Sequence, residues 1–234
     1  MNEKTFFTDV FNSMNEEQLE VYHRTVVMNM DTPEAAEARR AYYKTKLRAM
    51  GDNVEIGIGV RIVNPQNISL GNNVRIGDRC HLIAGTEKGI TLADGARLKY
   101  GVFLDTETPD GYITIGKEVY IGTGCCLHGH IGLEIGDFTL LAQNITITPS
   151  SHRFDDPDKT IYSQKGFMKK LTIGRDCYLG MGICVVYTGS IGDGSVVGAG
   201  SVVVKEIPPY SVAVGVPAKV IKKRGTSTNH LPER

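Results

Sequence analysis

The sequence predicts a mainly β protein, a parallel β-helix built as a solenoid of short coils, with a helical segment at its N-terminus. Three observations carry this. An aliphatic residue recurs every six positions in sets of three: Leu70/Ile76/Leu82, Leu92/Leu98/Leu104, Ile115/Ile121/Leu127, Ile135/Leu141/Ile147, Ile173/Leu179/Val185 and Ile191/Val197/Val203. The gaps between sets are 10, 11, 8, 26 and 6 residues, so every insertion leaves after a third aliphatic residue. Small residues such as Gly71, Gly116, Gly77 and Gly122 follow the first and second aliphatic positions, whereas Ile83, Asp105, His128, Thr148, Val186 and Val204 follow the third. A period of six fits neither a helix nor simple strand alternation. It fits a coil with three flat sides, each giving one residue to a central column. A coil of roughly 18 residues buries little alone, so the stack is the fold.

The elements follow in order. Residues 1–50 carry no repeat and read as a helical cap. Asn15-Glu16-Glu17-Gln18 forms a capping box before a helix running to about Asn29. Thr32-Pro33-Glu34 sets an N-cap with proline at the first helical position, opening a second helix to about Ala49 that stops at Gly51. Tyr42, Tyr43 and Leu47 are placed to pack on the first coils. Asp31 reads as a solvated acid. The solenoid is expected over 51–206, with residues 54–68 a worn first coil (Ile56, Ile62, Ile68) disturbed by Pro65. Glycine and alanine at two corners are expected because corners need tight or left-handed backbone and leave no room for a Cβ. After Glu206-Ile207-Pro208-Pro209-Tyr210, a return segment spans 207–225, and 226–234 reads as a tail.

Composition narrows the function. The 234 residues are 41% hydrophobic, enough for a real core, and the absence of tryptophan suits a thin prism interior. A formal net charge of zero gives no global field for nucleic acid or a membrane surface. No apolar run reaches membrane length and the N-terminus shows no signal-peptide pattern, which reads as a cytoplasmic chain without a membrane span. The five cysteines lack metal spacing; Cys80, Cys125 and Cys177 share one inward slot of the repeat and read as core fillers.

The long insertion, Thr148 to Thr172, is the expected working edge. It is polar, has no clear secondary-structure period, and contains Phe154, Tyr162, Phe167 and Met168, which argue for an ordered loop. One coil earlier the same corner carries His128-Gly129-His130. Coils stack about 4.8 Å apart, so His128, His130 and the root of the His152 loop are predicted neighbours.

The repeat, the Ser151-His152-Arg153-Phe154-Asp155-Asp156-Pro157 segment, the run Gly198-Ala199-Gly200-Ser201-Val202-Val203-Val204-Lys205 and the ending Gly215-Val216-Pro217-Ala218-Lys219-Val220-Ile221 resemble the hexapeptide-repeat acetyltransferases. Within that family they look most like the sugar O-acetyltransferases of surface polysaccharides and the galactoside and maltose acetyltransferases. The resemblance covers about residues 54–223. It implies a left-handed β-helix, a homotrimer with active sites between subunits, acetyl-CoA as co-substrate, a saccharide acceptor, and no metal. By position it implies His152 as general base and Met181, Ala199, Val204, Lys205 and Lys222 along the coenzyme groove, the two lysines meeting phosphates. His130 falls where relatives place an acceptor-contacting acid, and Thr123 near an acceptor-side Asn; with His128 they form the acceptor side.

Chemistry supports that reading. A sugar hydroxyl needs its proton removed as the C–O bond forms, and a positioned histidine does this. A thioester needs no metal, only donors for the developing oxyanion. Asn144, Asp155 or a backbone carbonyl are candidates to orient His152, and Cys126 is an alternative acyl-carrying nucleophile. Rival readings are N-acetylation of an amino sugar nucleotide, a γ-carbonic-anhydrase-like zinc site on His128, His130 and His152, and a non-catalytic β-helix.

Overall fold

In the computed structural model, which describes residues 12–226, the solenoid forms as the spacing predicts. Three sheets of six, nine and seven strands make the three faces. Successive coils pair in parallel and in register: Leu98 with Ile121, Ile121 with Leu141, and Leu141 with Leu179. Only the last strand of the nine, Lys219–Lys223, runs antiparallel, folded back on Ser211–Val214. All 18 aliphatic residues of the six sets are at most 3% exposed. Each such side chain contributes roughly 1.5–3 kcal/mol by leaving water. The expected tail from 227 onward and residues 1–11 lie outside the described residues.

The first coil begins earlier than the spacing of Ile56, Ile62 and Ile68 suggests. Ala49–Met50 is already a strand, paired with Ser69 and Leu70. Ile56 and Ile62 stack under Ile76 and Leu82, so the first set is Met50/Ile56/Ile62. Ile68 instead pairs with Ile90 and packs two residues ahead of the column position. A single 3-10 turn, Pro65–Asn67, separates the two coils.

The corners divide the two roles that the sequence assigns to one residue. The small residue directly after each aliphatic position is required by proximity: a Cβ on Gly122 would lie 2.5 Å from the carbonyl carbon of Ala142 on the next coil. Left-handed backbone falls two residues later, at Asn73, Gly95, Glu118, Phe138 and Asp176 on one corner and Arg79, Gly101, Gly124, Asn144 and Gly182 on the other. Side chains between these positions tie the coils together. Asp94 Oδ1 accepts from the backbone N–H of Asn72 at 2.7 Å, Asp137 from Lys117 at 2.7 Å, and Asp193 from Arg175 at 2.9 Å. Such carboxylates satisfy corner amides that no strand partner reaches.

At the N-terminal end, helix α1 (Glu16–Thr25) starts on the predicted capping box and stops at Thr25, short of Asn29, where a 3-10 turn takes over. Helix α2 (Pro33–Lys46) has the predicted Thr32 cap but ends at Lys46 so that Ala49 can join the first sheet. Arg39 on α2 is only 3% exposed. It donates to the Ile56 carbonyl at 2.9 Å and to the Val27 and Met30 carbonyls at 3.0 and 2.8 Å, pinning the cap to the first coil. His23 of α1 stacks on Tyr42 at 3.7 Å and meets Tyr43 edge-on. No helix among the described residues is long and apolar enough to cross a membrane.

Burial, with the nearby Arg39 charge, pushes His23 down from 6.5 to about 4. Because the folded-state value lies below the unfolded one, its contribution is complete above pH 6.5 and is lost as pH falls toward 4. The loss is on the order of 3 kcal/mol. Urea midpoints from pH 7 to pH 4 should therefore fall less for His23→Phe than for the wild type; parallel curves would show that His23 does not control the acid limb.

Candidate functional site at the loop-bearing corner

Every loop leaves from the third corner, as the spacing predicts, because strands of the third face end there: Phe103–Asp105, Cys126–His128 and Thr146–Thr148. The long insertion is more regular than its sequence suggests. Ser150–His152 pairs antiparallel with Gly166–Met168, making a short hairpin with His152 opposite Gly166. Phe167 packs edge-to-face on Tyr187 at 4.5 Å, anchoring the hairpin to the next coil. His152, Arg153, Phe154, Asp155, Phe167 and Tyr187 enclose a hollow of about 330 Å³. A wider hollow of about 920 Å³ lies elsewhere, between α2 and the second face, and holds none of the predicted site residues.

His152 is exposed, and among the described residues its ring has no hydrogen-bond partner; neither Asn144 nor Asp155 bonds to it. It thus presents both ring nitrogens to whatever enters this edge. Ser150, two residues earlier on the same strand, ties it to the neighbouring coil: its Oγ lies 2.9 Å from His130 Nδ1 and 3.3 Å from Thr148 Oγ1.

His128 and His130 meet as predicted, ring centres 5.0 Å apart. His128 is the centre of a chain. Its Nδ1 lies 3.3 Å from Asp105 Oδ2, and its Nε2 lies 3.4 Å from Cys126 Sγ. The other oxygen of Asp105 accepts from the Glu107 N–H at 2.8 Å. Burial lowers the pKa of His130, with the His128 charge adding to it, and burial beside Asp105 raises that of Cys126. A thiol so raised is a poor nucleophile at neutral pH, which counts against Cys126 as an acyl carrier. Burial likewise raises the Cys80, Cys125 and Cys177 thiols, Cys80 to about 11, in keeping with core fillers.

Asp105 is the site residue that sequence reasoning missed, although its signal was present. It follows Leu104 as His128 follows Leu127, so the six-residue spacing alone puts the two side by side, and they do pair in register.

One chain does not bring all predicted residues together. Thr123, Met181 and Ala199 stack along the second corner, linked by the backbone bonds Asn144 N–H to Thr123, Gly182 N–H to Gln143 and Gly200 N–H to Met181. Val204 belongs to the third corner, where Thr188 Oγ1 donates to its carbonyl, and exposed Lys205 follows it. Lys222 sits half-buried on the returning strand opposite Val212. The third face separates the two corners within a chain.

The hexapeptide repeat described as that of succinyl-transferase matches residues 67–106, 112–149 and 170–205, the coils seen here. The chain belongs to the hexapeptide-repeat family. It is 34% identical over 120 residues to the galactoside O-acetyltransferase of Escherichia coli, covering 50% of this chain and 57% of that one. It is 36% identical over 118 residues to a Mycobacterium tuberculosis protein that carries an acetyltransferase name, covering 50% and 39%. The chain thus spans about half the length, or less, of these curated relatives. Among solved structures, the D94A mutant of AntD, an N-acyltransferase from Bacillus cereus in complex with dTDP and coenzyme A, superposes with a TM-score of 0.56 at 23% identity. That match covers 80% of this chain and 90% of that one, and it is a likeness of fold.

Proposed function

We propose that the protein is an acetyl-CoA-dependent acyltransferase that moves an acetyl group to a saccharide hydroxyl, in the modification of a surface polysaccharide or glycan. The observation that carries the reading is the third corner, where an ordered hairpin presents His152 beside the His130–Ser150 contact. Membership of the hexapeptide-repeat family and similarity to a galactoside O-acetyltransferase support it. In this reading His152 takes the proton of the acceptor hydroxyl as that oxygen attacks the thioester carbon. The tetrahedral intermediate collapses, the C–S bond breaks, and the leaving coenzyme A sulfur takes the proton held by His152, so that coenzyme A departs as the thiol and His152 returns to its neutral form. Transfer is direct, in a ternary complex. His128, His130 and Thr123 line the acceptor side. Met181, Ala199 and Val204 line the coenzyme groove, with Lys205 and Lys222 toward its phosphates.

The proposed residues lie on two corners that one chain keeps apart, so the complete site needs a second chain's corner beside the first. Tyr120, Leu140 and Tyr178 form an outward column, in register on the second face and 36%, 46% and 47% exposed. An apolar column of that kind is suited to a subunit contact. We assign the assembly as a homotrimer with active sites between subunits. Light scattering at micromolar concentration should give three times the chain mass; a monomer mass overturns the intersubunit site.

Release of free thiol from acetyl-CoA, read against a panel of sugars and amino sugar nucleotides, tests the reaction and separates hydroxyl from amine acceptors. His152→Ala should keep the fold and coenzyme binding while kcat falls by about 10²–10⁴, the worth of a positioned general base. If the variant retains most of its turnover, another group is the base.

Lys205→Ala/Lys222→Ala should raise the acetyl-CoA KM more than it lowers kcat, and wild-type affinity for acetyl-CoA should weaken with salt. An unchanged coenzyme KM in the double variant removes both lysines from the phosphate site.

A further inference from the structure

The geometry points to a binding site for a first-row divalent cation, zinc foremost, formed by Asp105, His128 and His130 at the third corner. One atom from each of the three lies within 4.8 Å of the other two. The separation of Asp105 Oδ2 from His128 Nδ1 is 3.3 Å. Two ligands of a tetrahedral zinc with bonds of about 2.0–2.1 Å stand about 3.3 Å apart, so this pair already spans one edge of the coordination polyhedron. His130 closes the remaining distance by a change of its side-chain torsions, which a half-buried ring on a loop permits.

The groups around the three residues are arranged as outer partners of a metal site. The Glu107 N–H holds Asp105 Oδ1, leaving Oδ2 to face His128. Cys126 Sγ sits on the Nε2 side of His128, leaving Nδ1 for the centre. Ser150 Oγ sits on the Nδ1 side of His130, leaving Nε2. An outer hydrogen bond of this kind orients the ring of a ligating histidine and selects its tautomer. Two imidazoles and one carboxylate suit zinc and its neighbours in the row far better than magnesium or calcium, which prefer all-oxygen shells. Three protein ligands also leave a fourth position open.

The site shares neither His152 nor any coenzyme residue. The proposed acetyl transfer needs no metal, so the cation is a ligand of the acceptor corner and not a cofactor of the reaction. Its set also differs from the three-histidine arrangement considered from the sequence, because Asp105 replaces His152.

The test is direct binding, which stands whether or not the protein transfers acetyl groups. The full chain, stripped with a chelator and dialysed, is titrated with zinc chloride by calorimetry and with cobalt(II) by visible absorption. One equivalent per chain is expected, with the intense d–d bands of four-coordinate cobalt. Asp105→Asn and His130→Gln should each weaken zinc binding at least 100-fold. Ser150→Ala should weaken it about 10–100-fold, as loss of an outer partner does. His152→Ala should leave it unchanged. Circular dichroism of each stripped variant checks that the solenoid is intact; both ligand variants are conservative in size, so either one that folds suffices. The proposal is overturned if zinc does not bind, if binding survives both ligand substitutions, or if His152→Ala abolishes it.

Discussion

The structure depends on the stacking of one coil on the next. No coil encloses a core of its own; its three short strands each give an aliphatic residue to one shared column, and each of these is stacked in register on its equivalents in the adjacent coils. The same step that closes the column makes the parallel backbone ladder, since Ile121 is both packed on and paired in register with its neighbours. Packing and hydrogen bonding therefore share one register. A slip would expose apolar side chains and break the ladder together. The corner carboxylates lock that register from outside: Asp94, Asp137 and Asp193 each hold an amide of the adjacent coil.

Because two corners are held by close backbone approach, insertions have one exit. Gly122 leaves no space for even a methyl group against the next coil, whereas the third corner ends strands with Asp105, His128 and Thr148 turned to its outer side. Asp105, His128, His130 and the hairpin carrying His152 collect there for that reason. Loops can lengthen at this edge without cost to the column, and side chains from successive coils arrive at a fixed spacing. The Asp105–His128 pair is a direct product of this geometry, and the His130–Ser150 contact extends it to the hairpin carrying His152.

Both ends of the stack need covering, since an open coil exposes its column and strand edges. At the C-terminal end, Lys219–Lys223 folds back antiparallel on the last parallel strand. At the N-terminal end, α2 packs across the first coil, and the buried guanidinium of Arg39 collects three carbonyls from the 3-10 turn, the loop after it and the coil. A charge so buried is stable only with its hydrogen bonds complete, which makes Arg39 a joint between cap and solenoid.

The sequence by itself determined the solenoid, its six principal coils, the corner from which loops leave and the capping of both helices. Those features rest on spacing and on local signals, Asn15 with Gln18 and Thr32 with Pro33, which act within a few residues. It also placed His128 beside His130. Only the tertiary structure decided the rest. Met50 heads the first column because α2 yields its last turn to strand pairing, a choice made by contact with Ser69 and Leu70 rather than by propensity. The left-handed residue stands two places after the small one, since space and torsion are separate demands that a list of glycines merges. The loop became a hairpin because Phe167 found Tyr187 on the following coil. Thr123, Met181 and Ala199 share a corner that His128 and His130 do not, because a prism separates in space what its period makes equivalent along the chain.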